Sequence, residues 1–236
     1  MLKHLPLPWL ALVLALMLPV SAKDATKHEP YFDPKTFDFL ALIPSPPEQK
    51  TDVNQKDIET VIEKQKTLTD EEIAHVKLEA TYNTYDIFED VIGPWFTKAD
   101  AAKFPALARL IKREGDTTGG IVTAAKDHWK RPRPYLQDTR VHSIIGPVDG
   151  WSYPSGHSTR GTVDSLLLAQ VDPGASEAIL ARGVRIGDDR VLGGVHFQTD
   201  VDAGRVLGRA IFQRLMKTPA FQADLAAAKK EVAGKF

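Results

Sequence analysis

Residues 193–216 read GGVHFQTDVDAGRVLGRAIFQRLM. After the paired glycines a helical pattern runs from His196 to Met216, and strand-type alternation is missing. The same period recurs on both sides of this stretch. Downstream, Thr218-Pro219 offers a cap followed by Pro at the first helical position, opening a last helix that carries Phe221, Leu225 and Val232. Upstream, a helix from Ala175 to about Leu192 stops at Gly193-Gly194, and another from Ser155 through Leu166–Leu168 stops at Asp172-Pro173-Gly174. Earlier still, Pro105, Leu107, Leu110 and Ile111 begin a helix that heads toward Lys126. Thr69 and Glu72 form a capping box, and Ile73, Val76, Ala80, Ile87 and Val91 continue it at helical spacing. Residues Arg133 to Tyr153 hold Pro and Gly with no sustained period and read as loop. The fold expected is all-α: a single-domain multi-helix bundle.

The chain departs from this pattern at its N-terminal end. Lys3 and His4 precede an apolar run from Leu5 to Val20, and Val20-Ser21-Ala22 has the small residues of a signal-peptidase site. A signal peptide over 1–22, cleaved after Ala22, and a periplasmic product are therefore expected. The run carries Pro6, Pro8 and Pro19 and is short for a membrane span of ~20 residues. Pro30, Pro34, Pro44, Pro46 and Pro47 then forbid a long helix. An extended Pro-rich N-terminal segment is expected to wrap the bundle, docked by Phe37, Phe39, Leu40, Leu42 and Ile43. Residues 23–67 are assigned to this wrap and a first helix, and 68–236 to the catalytic helical domain.

Composition narrows the function classes. Hydrophobic residues make up 43% and charged residues 26% of the 236, which suits a folded core. The formal net charge of −1 gives no global field toward nucleic acid or an anionic membrane. With no cysteine there is no disulfide, no thiol catalysis and no Cys-based zinc site.

Three stretches carry chemistry. In Lys126-Asp127-His128-Trp129-Lys130-Arg131-Pro132-Arg133-Pro134, Arg133 offers a planar fork and Lys126 a point charge, a pair suited to phosphate oxygens, although basic runs by themselves are usually solvated. In Pro154-Ser155-Gly156-His157 an opening helix presents free amides and a positive dipole end to an anion. Ser155 adds a donor there and His157 a proton. In the third stretch, Arg190 to Asp200, His196 and Asp200 lie four apart on one helical face. Asp200 can then fix the tautomer and leave the other ring nitrogen free to attack.

Together these read Lys126, six residues, Arg133-Pro134; then Pro154-Ser155-Gly156-His157; then Arg190, five residues, His196, three residues, Asp200. The order and gaps resemble the three-part signature of the phosphatidic acid phosphatase type 2 superfamily, and within it the soluble bacterial class A non-specific acid phosphatases. Gly115-Asp116-Thr117, Tyr153, Asp200-Val201-Asp202-Ala203-Gly204-Arg205 and Thr218-Pro219-Ala220-Phe221 extend the likeness, which is firm from about Leu68 onward and weaker over 23–67. The resemblance implies hydrolysis of a broad range of phosphomonoesters through a phosphohistidine. His196 would be the nucleophile, oriented by Asp200, with His157 as general acid and base. Lys126, Arg133, Ser155, Gly156 and Arg190 would hold the phosphoryl group, with no metal and no cofactor. Small-molecule phosphomonoesters are the expected partners. Nucleic acid and stable membrane insertion are not, and a homo-oligomer is expected.

One position departs from the pattern: Asp189 stands where the family usually has Ser. Facing the pocket, its charge would oppose phosphate or partly neutralise Arg190; neighbouring helical residues point about 100° apart, so it need not face it. Other readings attach to the same residues. Gly156-His157-Ser158-Thr159-Arg160 nearly matches the nucleophile elbow of an α/β-hydrolase, but Arg160 replaces its second Gly and the strands are missing. His128, His142, His157, His196 and Asp200 could supply a metallohydrolase. The same oxyanion cradle would serve a vanadate-dependent haloperoxidase, or an exported phosphate-binding protein without turnover. Tyr82, Tyr85, Trp129, Trp151 and Tyr153 are candidates for stacking on a substrate or for the core.

Overall fold

The computed structural model describes residues 29–235. The expected signal peptide and its cleavage site lie outside them. The helices are α1 (Asp52–Gln65), α2 (Asp70–Leu78), α3 (Thr84–Ile92), α4 (Pro105–Trp129), the single turn α5 (Pro134–Gln137), α6 (Gly156–Val171), α7 (Ser176–Leu192), α8 (Gln198–Met216) and α9 (Pro219–Glu231). No strand occurs among the described residues, so the architecture is all-α and the hydrolase-elbow reading has no sheet to sit on.

Helices α6, α7 and α8 form the centre, with α4 and α9 packed as a pair beside them. Their approach is close because small residues line the seams. A Cβ on Gly208 of α8 would lie 2.6 Å from the Thr159 carbonyl of α6, and one on Gly204 would lie 2.8 Å from the Ser155 carbonyl. The main core gathers Leu107, Leu110 and Ile121 of α4, Leu167 and Leu168 of α6, Leu207 and Ile211 of α8 and Phe221 of α9. A smaller cluster under α1 joins Ile58, Val61 and Ile62 to Val191, Phe197 and Val201. Helix α4 starts on Pro105, and its orphan amides at Ala106 and Leu107 donate to the Glu231 carboxylate of α9 at 3.0 and 2.9 Å.

The proline-rich segment does lie against the bundle. Tyr31 packs edge-on to Phe221 at 5.1 Å, and its amide donates to Thr117 Oγ1 at 2.9 Å. Phe37 and Phe39 pack on the core and Ile43 is buried, but Leu40 and Leu42 are exposed and stand outside the core. Three further expectations change. The Thr69–Val91 pattern is two helices, because the chain leaves α2 at Glu79 and Asn83 recaps it, accepting the Tyr85 amide at 3.0 Å. Helix α8 begins at Gln198, so His196 precedes it. At the start of α9, the Thr218 hydroxyl donates to the Arg214 carbonyl at 3.0 Å and makes no cap.

Replacing Gly208 by Ala should force α6 and α8 apart or strain Thr159. A loss of about 1–3 kcal/mol is expected for such overpacking, read as a lower urea midpoint at unchanged slope. A midpoint equal to wild type would contradict the close-approach reading.

Candidate active site

Three chain segments converge on a cavity of about 210 Å³ lined by Ala80, Lys126, Arg133, Ile145, Val148, Gly156, His157, Arg190, Val195 and His196. Two larger hollows, of about 290 Å³ each, run along the proline segment; Tyr153 lines one and Trp129 the other, but neither includes a candidate catalytic or phosphate-binding residue. Lys126 reaches the cavity from the last turn of α4, its ammonium donating to the Trp151 carbonyl. Helix α6 opens with Ser155 as cap, its Oγ accepting the Ser158 amide at 3.3 Å. The amides of Gly156 and His157 lie in the first turn, where a helix offers no internal acceptor. Ser155 itself is fully buried beneath the cavity wall and does not line it.

His196 is placed by a turn. Helix α7 ends at Leu192, Gly194 takes a φ of +71° that favours glycine, and the amides of Val195 and His196 both donate to the Arg190 carbonyl at 3.2 Å. Arg190 and His196 thus share one wall. The His196 ring is almost fully buried. Its Nε2 lies 3.3 Å from Arg133 Nη1, which can only donate, so Nε2 keeps its lone pair. Its Nδ1 lies 3.4 Å from Asp200 Oδ2 and carries the proton. The expected His–Asp pair is present, but as a helix-start arrangement instead of one helical face. Asp200 is in the first turn of α8 and also accepts the Phe197 amide at 2.9 Å.

Arg133 spends most of its donors on backbone. Nε and Nη2 reach the Gly150 and Asp149 carbonyls, and Nη1 the Val195 carbonyl at 2.9 Å. Its guanidinium is fixed before any ligand arrives. Arg190 Nη2 donates to the Val76 carbonyl at 2.9 Å, while its Nε is buried without a partner. His157 Nε2 donates to the Glu79 carbonyl at 2.8 Å, leaving Nδ1 as the nitrogen able to exchange a proton. Tyr82 stands edge-on to His157, ring centroids 5.4 Å apart. Trp129 and Tyr153 pack edge-to-face at 5.0 Å and Tyr85 against Phe96, while Trp151 is exposed.

Residues that motif reasoning passed over hold this site together. Arg131 sits between the two motif cations. It pairs with Asp200 through Nη1, reaches Thr199 Oγ1 at 2.8 Å, and through Nη2 meets Asn54 and Asp57 of α1, each at 2.9 Å. It also lies over the Phe197 ring, 3.9 Å from its centroid. Ser152 donates to Asp200 Oδ2. The signal available in the sequence was Arg131's place in the basic run; Asn54 and Asp57 carried none. Asp189 is buried, is 3.6 Å from Arg185, and does not line the cavity. The five candidate metal ligands do not converge: among the described residues no group of three or more His, Asp or Glu is placed to share an ion.

The electrostatics follow from burial beside cations. Burial, with Lys126 and Arg133 nearby, holds His196 down to about 3, so it is neutral. Burial and then Arg190 hold His157 well below the usual histidine range. Burial and Arg133 bring Lys126 down to about 7. Burial alone would raise Asp200, but His196, Arg131 and Ser152 outweigh it and hold it at about 2, ionised. The cavity is therefore lined by two arginine cations, a lysine that is a third cation below about pH 7, and two imidazoles held toward their neutral forms. That chemistry suits a tetrahedral oxyanion with a neutral nucleophile facing it.

Residues 117–223 match the model of the PAP2 superfamily. It is similar to the non-specific acid phosphatase of Salmonella typhimurium, 36% identical over 65% of this chain and 62% of that one. The chain thus spans less than two thirds of the length of that relative. It is also similar to the non-specific acid phosphatase of Providencia stuartii, 29% identical over 92% of this chain and 90% of that one. In structure it is similar to the transmembrane PAP2 type phosphatidylglycerolphosphate phosphatase of Bacillus subtilis. The TM-score is 0.53 at 20% identity over 74% of this chain and 88% of that one, a likeness of fold.

Two outcomes are expected here. Arg131→Ala leaves Asp200 and Asp57 buried without their cation and should cost about 3–5 kcal/mol in urea denaturation; a loss under about 1 kcal/mol would remove Arg131 as the site's internal counter-charge. Lys126 is charged only below about 7 in the empty site. Affinity for sulfate, a dianion throughout, should accordingly fall as pH rises above 7, and fall less steeply in Lys126→Arg, whose charge persists. Identical profiles for the two would exclude Lys126 from the anion site.

Proposed function

We propose that the chain is an acid phosphatase that cleaves phosphomonoesters through a phosphohistidine on His196. The observation that carries this reading is the His196 ring. Nε2 keeps its lone pair next to Arg133 and Nδ1–H faces ionised Asp200, across a cavity that also takes His157. The names of the Salmonella and Providencia relatives support the same class of activity.

In the first step Nε2 of His196 attacks phosphorus, the P–O ester bond breaks, and His157 gives its Nδ1 proton to the departing alkoxide. His157 must be protonated for this. A bound dianion supplies the charge that favours its protonated form against burial and Arg190. Lys126, Arg133, Arg190 and the first-turn amides of α6 meet the equatorial oxygens, where transition-state charge spreads. Each such charge-assisted bond is worth about 1.5–3 kcal/mol. The phosphoryl-imidazolium keeps its Nδ1 proton against Asp200. In the second step water attacks phosphorus as His157 takes its proton, the P–N bond breaks, and phosphate and neutral His196 are released. The cations supply the charge that a metal would, so turnover is expected to be metal-independent. We also place the protein in the periplasm, after removal of residues 1–22. The apolar run from Leu5 to Val20 supports that reading, and no helix among the described residues is long and apolar enough to cross a membrane.

Hydrolysis of p-nitrophenyl phosphate with EDTA present tests the assignment. The rate should peak on the acidic side of neutrality and fall by more than about 10⁴-fold in His196→Ala. In His157→Ala the loss should be about 10²–10⁴-fold, smaller for p-nitrophenol than for a poorer alkoxide leaving group. A phosphoryl label should be trapped on His196 by rapid alkaline quench. Loss of activity with EDTA would move the case to a metal site, and retained activity in His196→Ala would remove the nucleophile.

A further inference from the structure

The turn between α2 and α3 buries a residue that no motif marked. Glu79 is fully buried, and its backbone carbonyl accepts from both His157 Nε2, at 2.8 Å, and Arg190 Nη1, at 3.4 Å. Its carboxylate continues in the same direction. Oε2 lies 3.8 Å from Arg190 Nη2 and Oε1 lies 3.9 Å from Arg182 Nη2. Those are ion-pair distances without a hydrogen bond, and both carboxylate oxygens are buried with no hydrogen-bond partner. A carboxylate placed so is costly, and a fold that wanted only a plug would use an apolar side chain.

The surroundings are charged on every side. From α7, Arg182, Arg185, Asp189 and Arg190 face the pocket around Glu79. His75 of α2 accepts from Arg182 Nη1 at 3.4 Å, Asp90 of α3 lies 3.8 Å from Arg182, and His157 of α6 closes the far end. Asp189 is the position that departs from the family pattern. It lies on this side of α7, with one carboxylate oxygen lacking a hydrogen bond. Two buried carboxyls thus share Arg190, the one of these three arginines that lines the cavity.

We propose that Glu79 is a positioning residue of the phosphoryl site: its carbonyl sets His157 and Arg190 in register, and its carboxylate, backed by Asp189, competes with the bound phosphoryl group for Arg190. This rests on the reading of the cavity as an oxyanion site. When Glu79 is neutral, Arg190 is free to meet the anion; when Glu79 is ionised, Arg190 is partly neutralised from behind. Burial and the charge of Asp189 raise Glu79 to about 7, against Arg190, Arg182 and Arg185. Anion binding and Glu79 protonation therefore favour each other.

The test reads binding of sulfate, by calorimetry in buffers of differing ionisation heat and by inhibition, from pH 5 to pH 9. Above 7 the wild type should lose affinity with two linked protons, approaching a hundredfold per pH unit, one from Lys126 and one from Glu79. Glu79→Gln, which keeps size and the backbone carbonyl, should show one, about tenfold per unit, and bind sulfate more tightly than wild type at pH 8. Asp189→Ser removes the charge that raises Glu79, so its break should move to lower pH with the slope kept. A two-proton slope in Glu79→Gln, or an unmoved break in Asp189→Ser, would overturn the proposal while leaving the oxyanion site intact. No sulfate binding at pH 5 in any form would overturn both. Should Glu79→Gln fail to fold, the Asp189→Ser break decides alone.

Discussion

A fully buried carboxylate on the third residue of α8 organises the site. Asp200 cannot stay ionised there unless several groups answer its charge, and they come from separate parts of the chain. Arg131 follows α4, Ser152 precedes α6, the Phe197 amide opens α8, and the His196 ring stands before that helix. The Ser155 amide donates to the Asp200 carbonyl at 3.0 Å, so the α6 cap is registered to the same residue. Arg131 then hands the constraint to α1 through Asn54 and Asp57. Satisfying one charge fixes the helix starts that present the His196 ring and the first-turn amides of α6. Because every partner is itself buried, the arrangement cannot relax piecemeal.

The cavity next to it is deliberately unbalanced. Lys126, Arg133 and Arg190 are all pushed toward their neutral forms, burial being the largest cause for each, yet Arg133 and Arg190 remain charged. The Arg133 and Arg190 forks are held by carbonyl oxygens, which orient a guanidinium without neutralising it. The electrostatic cost of the empty site is carried by the surrounding core and returned when an anion binds. Burial and the same field keep both histidines neutral, which suits the nucleophile role proposed for His196 and opposes the acid role proposed for His157. In the proposed mechanism the separation of their roles comes with the ligand: a dianion beside His157 Nδ1 favours its protonated form, while His196 keeps Asp200 behind it.

Much of this was legible as residue type and spacing. The helices α4, α6, α7 and α9 begin and end close to the Pro, Gly and capping signals that announce them, since those signals act within one turn. The cavity takes Lys126, Arg133, Gly156, His157, Arg190 and His196, each carried by one of the three stretches. What was not legible is long-range compensation. Arg131 looked like its basic neighbours because a run of cations does not say which one turns inward. Asn54 and Asp57 meet it from more than 70 positions away, and no local pattern encodes that pairing. Leu40 and Leu42 looked like anchors because hydrophobicity does not report which side of an extended segment meets the core.

The break between α2 and α3 is the most instructive of these. Val76 before it and Ile87 after it are both fully buried, so the apolar period runs straight through a turn that it cannot detect. Only Asn83 hints at a restart, and a single Asn does not by itself fix where a helix begins. Yet the turn is where the fold makes contact with chemistry, because leaving the helix at Glu79 turns a carbonyl, which a continued helix would have consumed, toward His157 and Arg190. A backbone carbonyl belongs to any residue, and so the feature that orients the His157 ring could not appear in a motif. It follows from where the helix stops, at Glu79, whose carboxylate is buried within ion-pair distance of two arginines.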